Sequence, residues 1–239
     1  MKKTQSPQTV PRNSLVPFTR HEIIREVHRH IKAIETEFDQ VFTFINNYPK
    51  SVTFFGSARF SENTEHYKAA YNLAAELAKR DYSILTGGGG GIMEGANRGA
   101  FEAGGQSLGV NIKLPSEQIP NRFLNAEFEC NFFFSRKTAL AFVAEAYIFF
   151  PGGFGTLDEF FEIVTLIQTQ KIPAVPIVAF GKDYWEPLRD FIYEQMYVAH
   201  NAIKKEDLDL FTITDDPKVA IDIVERATAL KQLEVEKVA

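Results

Sequence analysis

One cysteine, Cys130, stands in 239 residues, so no internal disulfide can form, and the chain reads as one that folds in a reducing compartment. No histidine or basic cluster flanks Cys130, so it reads as a small core residue rather than an activated thiolate. Apolar runs of roughly 20 residues, the length that spans a bilayer, are missing. Met1-Lys2-Lys3 leads into polar residues and prolines instead of the apolar stretch of a signal peptide, so the expected location is the cytoplasm and no membrane partner is expected. Positive charge is also short. Asp and Glu number 31 against 26 Lys and Arg, for a net charge of −5, and no basic run interleaves with aromatics, which argues against a nucleic-acid partner. The five histidines are scattered, and His28 and His30 do not share a helix face, so no metal site is expected.

What is present suits a globular enzyme. Hydrophobic residues make up 45% of the chain, enough at this length for a sizeable core without covalent staples. Residues 1–18, with Pro7, Pro11 and Pro17, read as a flexible tail. Residues 19–48 read as an N-terminal helix. There Ile24, Val27, Ile31, Ile34, Phe38, Val41 and Ile45 recur at spacings of three and four, one apolar stripe that packs on the body of the domain or on a second subunit.

Residues 49–239 alternate between short apolar runs and helical patterns. Strands are expected at 51–55, 82–86, 107–112, 146–150 and 175–180, with helices between them and a mainly helical remainder. Continuous apolar strands joined by helices define an α/β fold, a parallel sheet covered on both faces. Right-handed crossovers make it a doubly wound, Rossmann-like sheet carrying an N-terminal helical extension.

Ligands of such sheets bind beyond the carboxyl ends of the strands. Three loops expected there are rich in small residues: Gly56-Ser57-Ala58-Arg59, the run Gly87 to Gly91 with Gly88 and Gly89 at its centre, and Pro151-Gly152-Gly153-Phe154-Gly155-Thr156. Glycine permits close backbone approach, and a following helix aims free N–H groups at an anion, so a phosphate-bearing ligand is the natural inference. The dinucleotide fingerprint fits poorly, because the glycines are consecutive and no acidic residue ends the next strand. A Walker Lys-Ser/Thr pair is also missing. Two readings of Glu159 stand side by side. Thr156 and Glu159 have the spacing of a capping box, so Glu159 either holds the helix start or works on a carbon beside the bound phosphate. Arg136 and Lys137 open the preceding helix, where basic residues oppose the dipole. An anionic ligand would offset this, and so would ion pairs to Asp158 or Glu159.

Gly88 to Gly95 followed by Ala96-Asn97, then Arg136-Lys137, then the stretch Pro151 to Glu159 resemble the signature of the LOG (Lonely Guy) family, once labelled lysine decarboxylases. The resemblance runs from about Val52 to Lys182. The phrase Leu114 to Asn121 and the stretch Phe149 to Gln170 are similar to a longer bacterial subgroup. This resemblance implies hydrolysis of a nucleoside 5′-monophosphate to free base and ribose 5-phosphate, without a cofactor, by a homodimer or higher homo-oligomer. Plant members act on cytokinin ribotides and several bacterial ones on AMP. By resemblance, Arg136 and Glu159 match the catalytic pair. Glu117, Lys137, Gly153, Phe154, Gly155, Thr156, Leu157, Asp158 and Thr165 match substrate-contact positions, Thr165 least directly because it points to another helix face. Position 158 is Asp where short members usually carry Glu, and the short plant enzymes lack the N-terminal extension. The alternative implied by the same fold is a non-catalytic carrier of nucleotide or molybdenum cofactor.

Overall fold

The computed structural model describes residues 19–113, 119–142 and 144–238. The expected tail over 1–18 and Glu117 lie outside the described residues. Contacts divide the chain into a unit ending at Thr36 and a unit beginning at Glu37. Helix α1, Arg20–Asn46, passes through the division. In the first unit it leaves Val27 and Ile31 about half exposed. In the second unit its last turns bury Val41 and Ile45 in the core.

The second unit is built on seven strands in the order β4-β3-β2-β1-β5-β6-β7, all paired in parallel. They are β1 Ser51–Phe55, β2 Ser83–Thr86, β3 Ser107–Ile112, β4 Ala126–Cys130, β5 Ala144–Phe149, β6 Ile177–Phe180 and β7 Thr212–Thr214. The helices between them are α2 Glu65–Ala78, α3 Ile92–Glu102, α4 Phe133–Phe142, α5 Phe154–Gln168 and α6 Lys182–Phe191, with α7 Pro217–Val238 closing the chain. This is a Rossmann-like α/β fold. Alternate side chains of the central strands feed two cores. Val52, Phe54, Ala146 and Ile148 face α2, α3 and α7. Phe55, Tyr147 and Phe149 face α4, α5 and the end of α1. Each such fully buried aliphatic or aromatic side chain contributes about 1.5–3 kcal/mol, and burial on both faces is why these strands are apolar throughout rather than alternating.

Two strands differ from the sequence expectation, which left β4 in a loop and β7 in a helical remainder. Both are margins of the sheet. β4 alternates half-buried and exposed residues, with Glu127 and Glu129 outward, so it lacks the apolar run that marks an inner strand. β7 has only three residues. Within the helical remainder, α6 continues into a π-helical segment, Ile192–Ala199.

Strand order reverses between β1 and β5, the neighbours from which the chain winds outward both ways. In open parallel sheets the ligand crevice lies at such a switch point, beyond the carboxyl ends of the strands. A buried polar network fixes the glycine run at its edge. The Thr86 hydroxyl donates to Asn97 Oδ1 at 2.6 Å and accepts from the Gly88 N–H at 2.8 Å. Asn97 Nδ2 donates to Ser107 Oγ and the Leu108 carbonyl. Asn121 Nδ2 donates to the Gly89 carbonyl at 3.0 Å and to Asn97 Oδ1 at 2.9 Å. Gly88 sits at φ +72°, and a Cβ there would fall 1.7 Å from Asn111 Oδ1, so glycine is required on both counts. Elsewhere, a cleft of about 740 Å³ lies at the amino ends of β1 and β5, lined by Ile45, Tyr48, Lys50, Phe142, Glu145 and Ile172.

Asn97→Ala strands the buried partners of this network, and each buried polar group left without a partner costs about 1–3 kcal/mol. The variant is expected to lose about 3 kcal/mol of unfolding free energy in a urea titration; a loss below about 1 kcal/mol would show that the network is dispensable.

Candidate active site

Three loops meet at the crevice and are tied together at one residue. Ser57 N–H donates to the Pro151 carbonyl at 3.0 Å, and the Ser57 carbonyl accepts from the Ile92 N–H at 3.0 Å. The loop after β1 thereby joins the loop before α5 to the start of α3. A Cβ on Gly91, at φ +65°, would lie 2.2 Å from the Ser57 carbonyl oxygen, so that junction also depends on glycine. Gly56 packs against Ile92 at this junction, whereas Gly88 and Gly89 are held by Thr86 and Asn121 and the Gly152 carbonyl accepts from the Tyr184 hydroxyl at 2.9 Å. The Ser57 hydroxyl accepts from the Arg59 N–H within its own turn.

Helix α5 begins at Phe154 with Gly153 at its N-cap and no side-chain capping bond. The capping-box reading of Thr156 and Glu159 is therefore not realised, and the helix starts two residues earlier than the sequence suggests. Thr156 is buried against Gly152, whose added Cβ would lie 2.1 Å from Thr156 Oγ1. Gly153 and Gly155 have open space where a side chain would be, and Phe154 is 94% exposed. The first-turn amides of α5 thus have no side-chain cap, the condition for receiving an anion.

One turn further, Glu159 points at Arg136. Arg136 Nη1 is 3.7 Å from Glu159 Oε1, with the two side chains only 15% and 17% exposed. Arg136 Nε donates to the Val110 carbonyl within β3, at 3.0 Å. Its guanidinium also fills the space beside Gly87, where an added Cβ would come within 2.2 Å of Nη2. The arginine therefore spans β3, the glycine run and α5. Burial pushes the Glu159 carboxyl up to about 7, although Arg136 and Lys137 pull the other way. Desolvation thus outweighs the proximity of Arg136.

Lys137 turns to the outer side of α5. Its Nζ is 2.8 Å from both Asp158 Oδ2 and Glu162 Oε2. Burial alone would lower its pKa, but the hydrogen bonds and charges of these two carboxylates leave it raised. Lys137 and Asp158 are thus partners of each other. Leu157 packs half-buried against the core. Thr165 is exposed; six residues beyond Glu159 it is about 9 Å along the helix and turned about 120° away, so the chain does not bring it to the others. Cys130 is buried, and burial together with the Glu37 charge pushes its thiol up to about 12, the state of an inert core residue.

Sequence reasoning missed Val110, Asn111, Asn121 and Glu37. Val110 acts through its carbonyl, which no sequence pattern reveals. Asn121 belongs to the phrase that carried the resemblance, but nothing in it foretold contact with Gly89.

The chain is thus a doubly wound parallel sheet whose helix α5 starts without a side-chain cap and whose Arg136 and Glu159 pair in a largely buried setting. Residues 93–224 match the family described as "Possible lysine decarboxylase". A probable cytokinin riboside 5′-monophosphate phosphoribohydrolase of Oryza sativa subsp. japonica is 30% identical over 163 residues, covering 66% of this chain and 76% of that protein. A cytokinin riboside 5′-monophosphate phosphoribohydrolase of Rhodococcoides fascians is 28% identical over 160 residues, covering 65% and 77%. The molybdenum cofactor carrier protein of Chlamydomonas reinhardtii shares the fold with a TM-score of 0.56 at 23% identity, over 76% of this chain and 99% of that one. The chain belongs to the LOG family. No helix among the described residues is long and apolar enough to cross a membrane.

The raised carboxyl of Glu159 has a consequence for stability. Its folded pKa lies near 7 and its ordinary value is 4.5, so the native state keeps a proton that the unfolded chain releases. Relative to Glu159→Gln, the wild-type protein should lose stability as pH rises from about 4.5 to about 7 and change little outside that window. Denaturant titrations of both proteins at pH 4, 6 and 8 check this; parallel stability profiles would contradict the burial of an ionisable carboxyl.

Proposed function

We propose that this protein hydrolyses the N-glycosidic bond of nucleoside 5′-monophosphates, of AMP or cytokinin ribotide type, to free base and ribose 5-phosphate. The observation that carries the reading is the buried Glu159 facing Arg136 one turn beyond a helix start whose amides have no side-chain cap. The relatives named as phosphoribohydrolases support it.

Cleavage of such a bond develops positive charge on the ribose and negative charge on the departing base. The 5′-phosphate accepts hydrogen bonds from the first-turn amides of α5 and from the glycine run after β2. Binding there fixes the reacting bond from a distance. Ionised Glu159 stabilises the ribosyl cation and orients the water that adds to C1′. Arg136 holds the phosphate or ribose, and its cation favours the ionised form of Glu159. Phe154, wholly exposed at the helix start, offers an aromatic surface to the nucleotide or to a second copy of the chain. Assembly as a homodimer or larger homo-oligomer is part of this proposal.

The decarboxylase description requires a lysine free to condense with pyridoxal phosphate. Lys137, the lysine beside the site, is held as a cation between Asp158 and Glu162. It does not fit that role.

Incubation with AMP, GMP, CMP and isopentenyl-AMP, followed by chromatography for released base, tests the reaction. Base release from at least one is expected, and Glu159→Gln should lose turnover by about 10³-fold while still binding the nucleotide. Binding without base release by the wild-type protein would favour a carrier. Because the ionised carboxylate is the active form, kcat/KM should fall as pH drops below about 7. The substrate phosphate titrates near about 6, so its own limb lies lower. A kcat/KM profile flat from pH 5 to 8 would remove Glu159 from this role.

A further inference from the structure

Helix α4, which carries Arg136 and Lys137 in its first turn, has an electrostatic problem at its start. The helix end bears a partial positive charge of roughly half an elementary charge. Two basic side chains sit on it, and the preceding residue, Phe132, has no polar side chain to cap its amides. Asn131 could serve as a local cap, but its side-chain amide donates to Glu37 instead. The solution comes from 94 residues earlier in the chain. Glu37, on α1 and 5% exposed, accepts through Oε2 from Asn131 N at 2.7 Å and Asn131 Nδ2 at 2.9 Å, and through Oε1 from Phe132 N at 3.0 Å. Burial raises its carboxyl, but the hydrogen bonds from Asn131 and Phe132 outweigh this and hold it below the ordinary carboxylate value. Glu37 is therefore an anion fixed on the amides that precede the first turn of α4.

We propose that Glu37 is a positioning residue: its carboxylate, reaching in from the N-terminal helix, sets the first turn of α4 where Arg136 can span the Val110 carbonyl, Gly87 and Glu159. It touches neither substrate nor reacting atoms, and the role rests on the nucleotide reading of the pocket. The fit leaves Arg136 little freedom, because its Nε bond to β3 and its contact with Gly87 constrain the guanidinium from two sides. A shift of about 1 Å in the first turn breaks one of them, and displacements of that size weaken a site severely.

Calorimetric titration of AMP into proteins carrying Glu159→Gln separates this role from general stabilisation. Adding Glu37→Gln should weaken AMP binding about tenfold. Adding Arg136→Ala should weaken it too, and the combination of both should be no weaker than Arg136→Ala alone to within about twofold, because Glu37 acts through that arginine. Losses that multiply would reduce Glu37 to a structural cap and overturn the proposal. The charge can also be moved: Glu37→Gln together with Asn131→Asp keeps one carboxylate at the start of α4 and a donor opposite it. This protein should recover affinity to within about threefold of the parent; one that stays unfolded, or binds no better than Glu37→Gln, would count against the inference even if Glu37→Gln alone does not fold. Unchanged AMP binding on adding Glu37→Gln overturns the inference alone. Failure of the Glu159→Gln parent to bind AMP overturns the nucleotide reading with it.

Discussion

The arrangement turns on a charged side chain held inside the protein by three different parts of it. Arg136 is 15% exposed, bonded to a carbonyl of β3, pressed beside a glycine and 3.7 Å from a carboxylate. A cation removed from water to this degree is stable only when its donors are matched. The matching groups come from β3, from the glycine run after β2 and from α5, which are far apart in sequence. They meet only because the sheet winds in both directions from β1 and β5. The fold is in this sense the means of bringing one arginine and one glutamate together in a crevice where water is scarce.

The second-order consequence concerns the carboxylate. Glu159 has a cation beside it, yet burial dominates and its proton is held to near 7. Burial outweighs the cationic neighbours and leaves the group titrating close to neutrality. Strongly shifted carboxyl groups cluster at functional sites, which supports the role proposed for Glu159. Lys137, Asp158 and Glu162 form a separate bridge on the outer side of the same helix. Adjacent residues on α4 and α5 therefore serve unlike purposes: Arg136 and Glu159 face the crevice, while Lys137 and Asp158 clamp the two helices.

Much of this was legible in the chain of letters. The apolar runs that became β1, β2, β3, β5 and β6 announced an inner parallel sheet, and the three loops rich in small residues marked the carboxyl ends of its strands. Residue type was informative wherever a backbone needed glycine, as at Gly88 and Gly91. The reading failed where the determining contact was long-range. Glu37 is one carboxylate among many on an amphipathic helix, and nothing local distinguishes it. The Thr86–Asn97–Asn121 network consists of ordinary polar residues whose partners become visible only when β2, α3 and the segment before β4 are assembled. The capping-box spacing of Thr156 and Glu159 misled for the opposite reason. It is a local rule, and here Gly153 took the cap position and left Glu159 for the interior.

The two margins of the sheet carry an implication for how copies of this chain can join. β4 presents Glu127 and Glu129 at an outer edge, and β7 is three residues long. Charged or very short border strands are poor templates for a neighbouring backbone, so extension of the sheet from one molecule into the next is disfavoured at either end. Contact between copies is left to the helical flanks, where association depends on side-chain fit and can be tuned without disturbing the strands that shape the crevice.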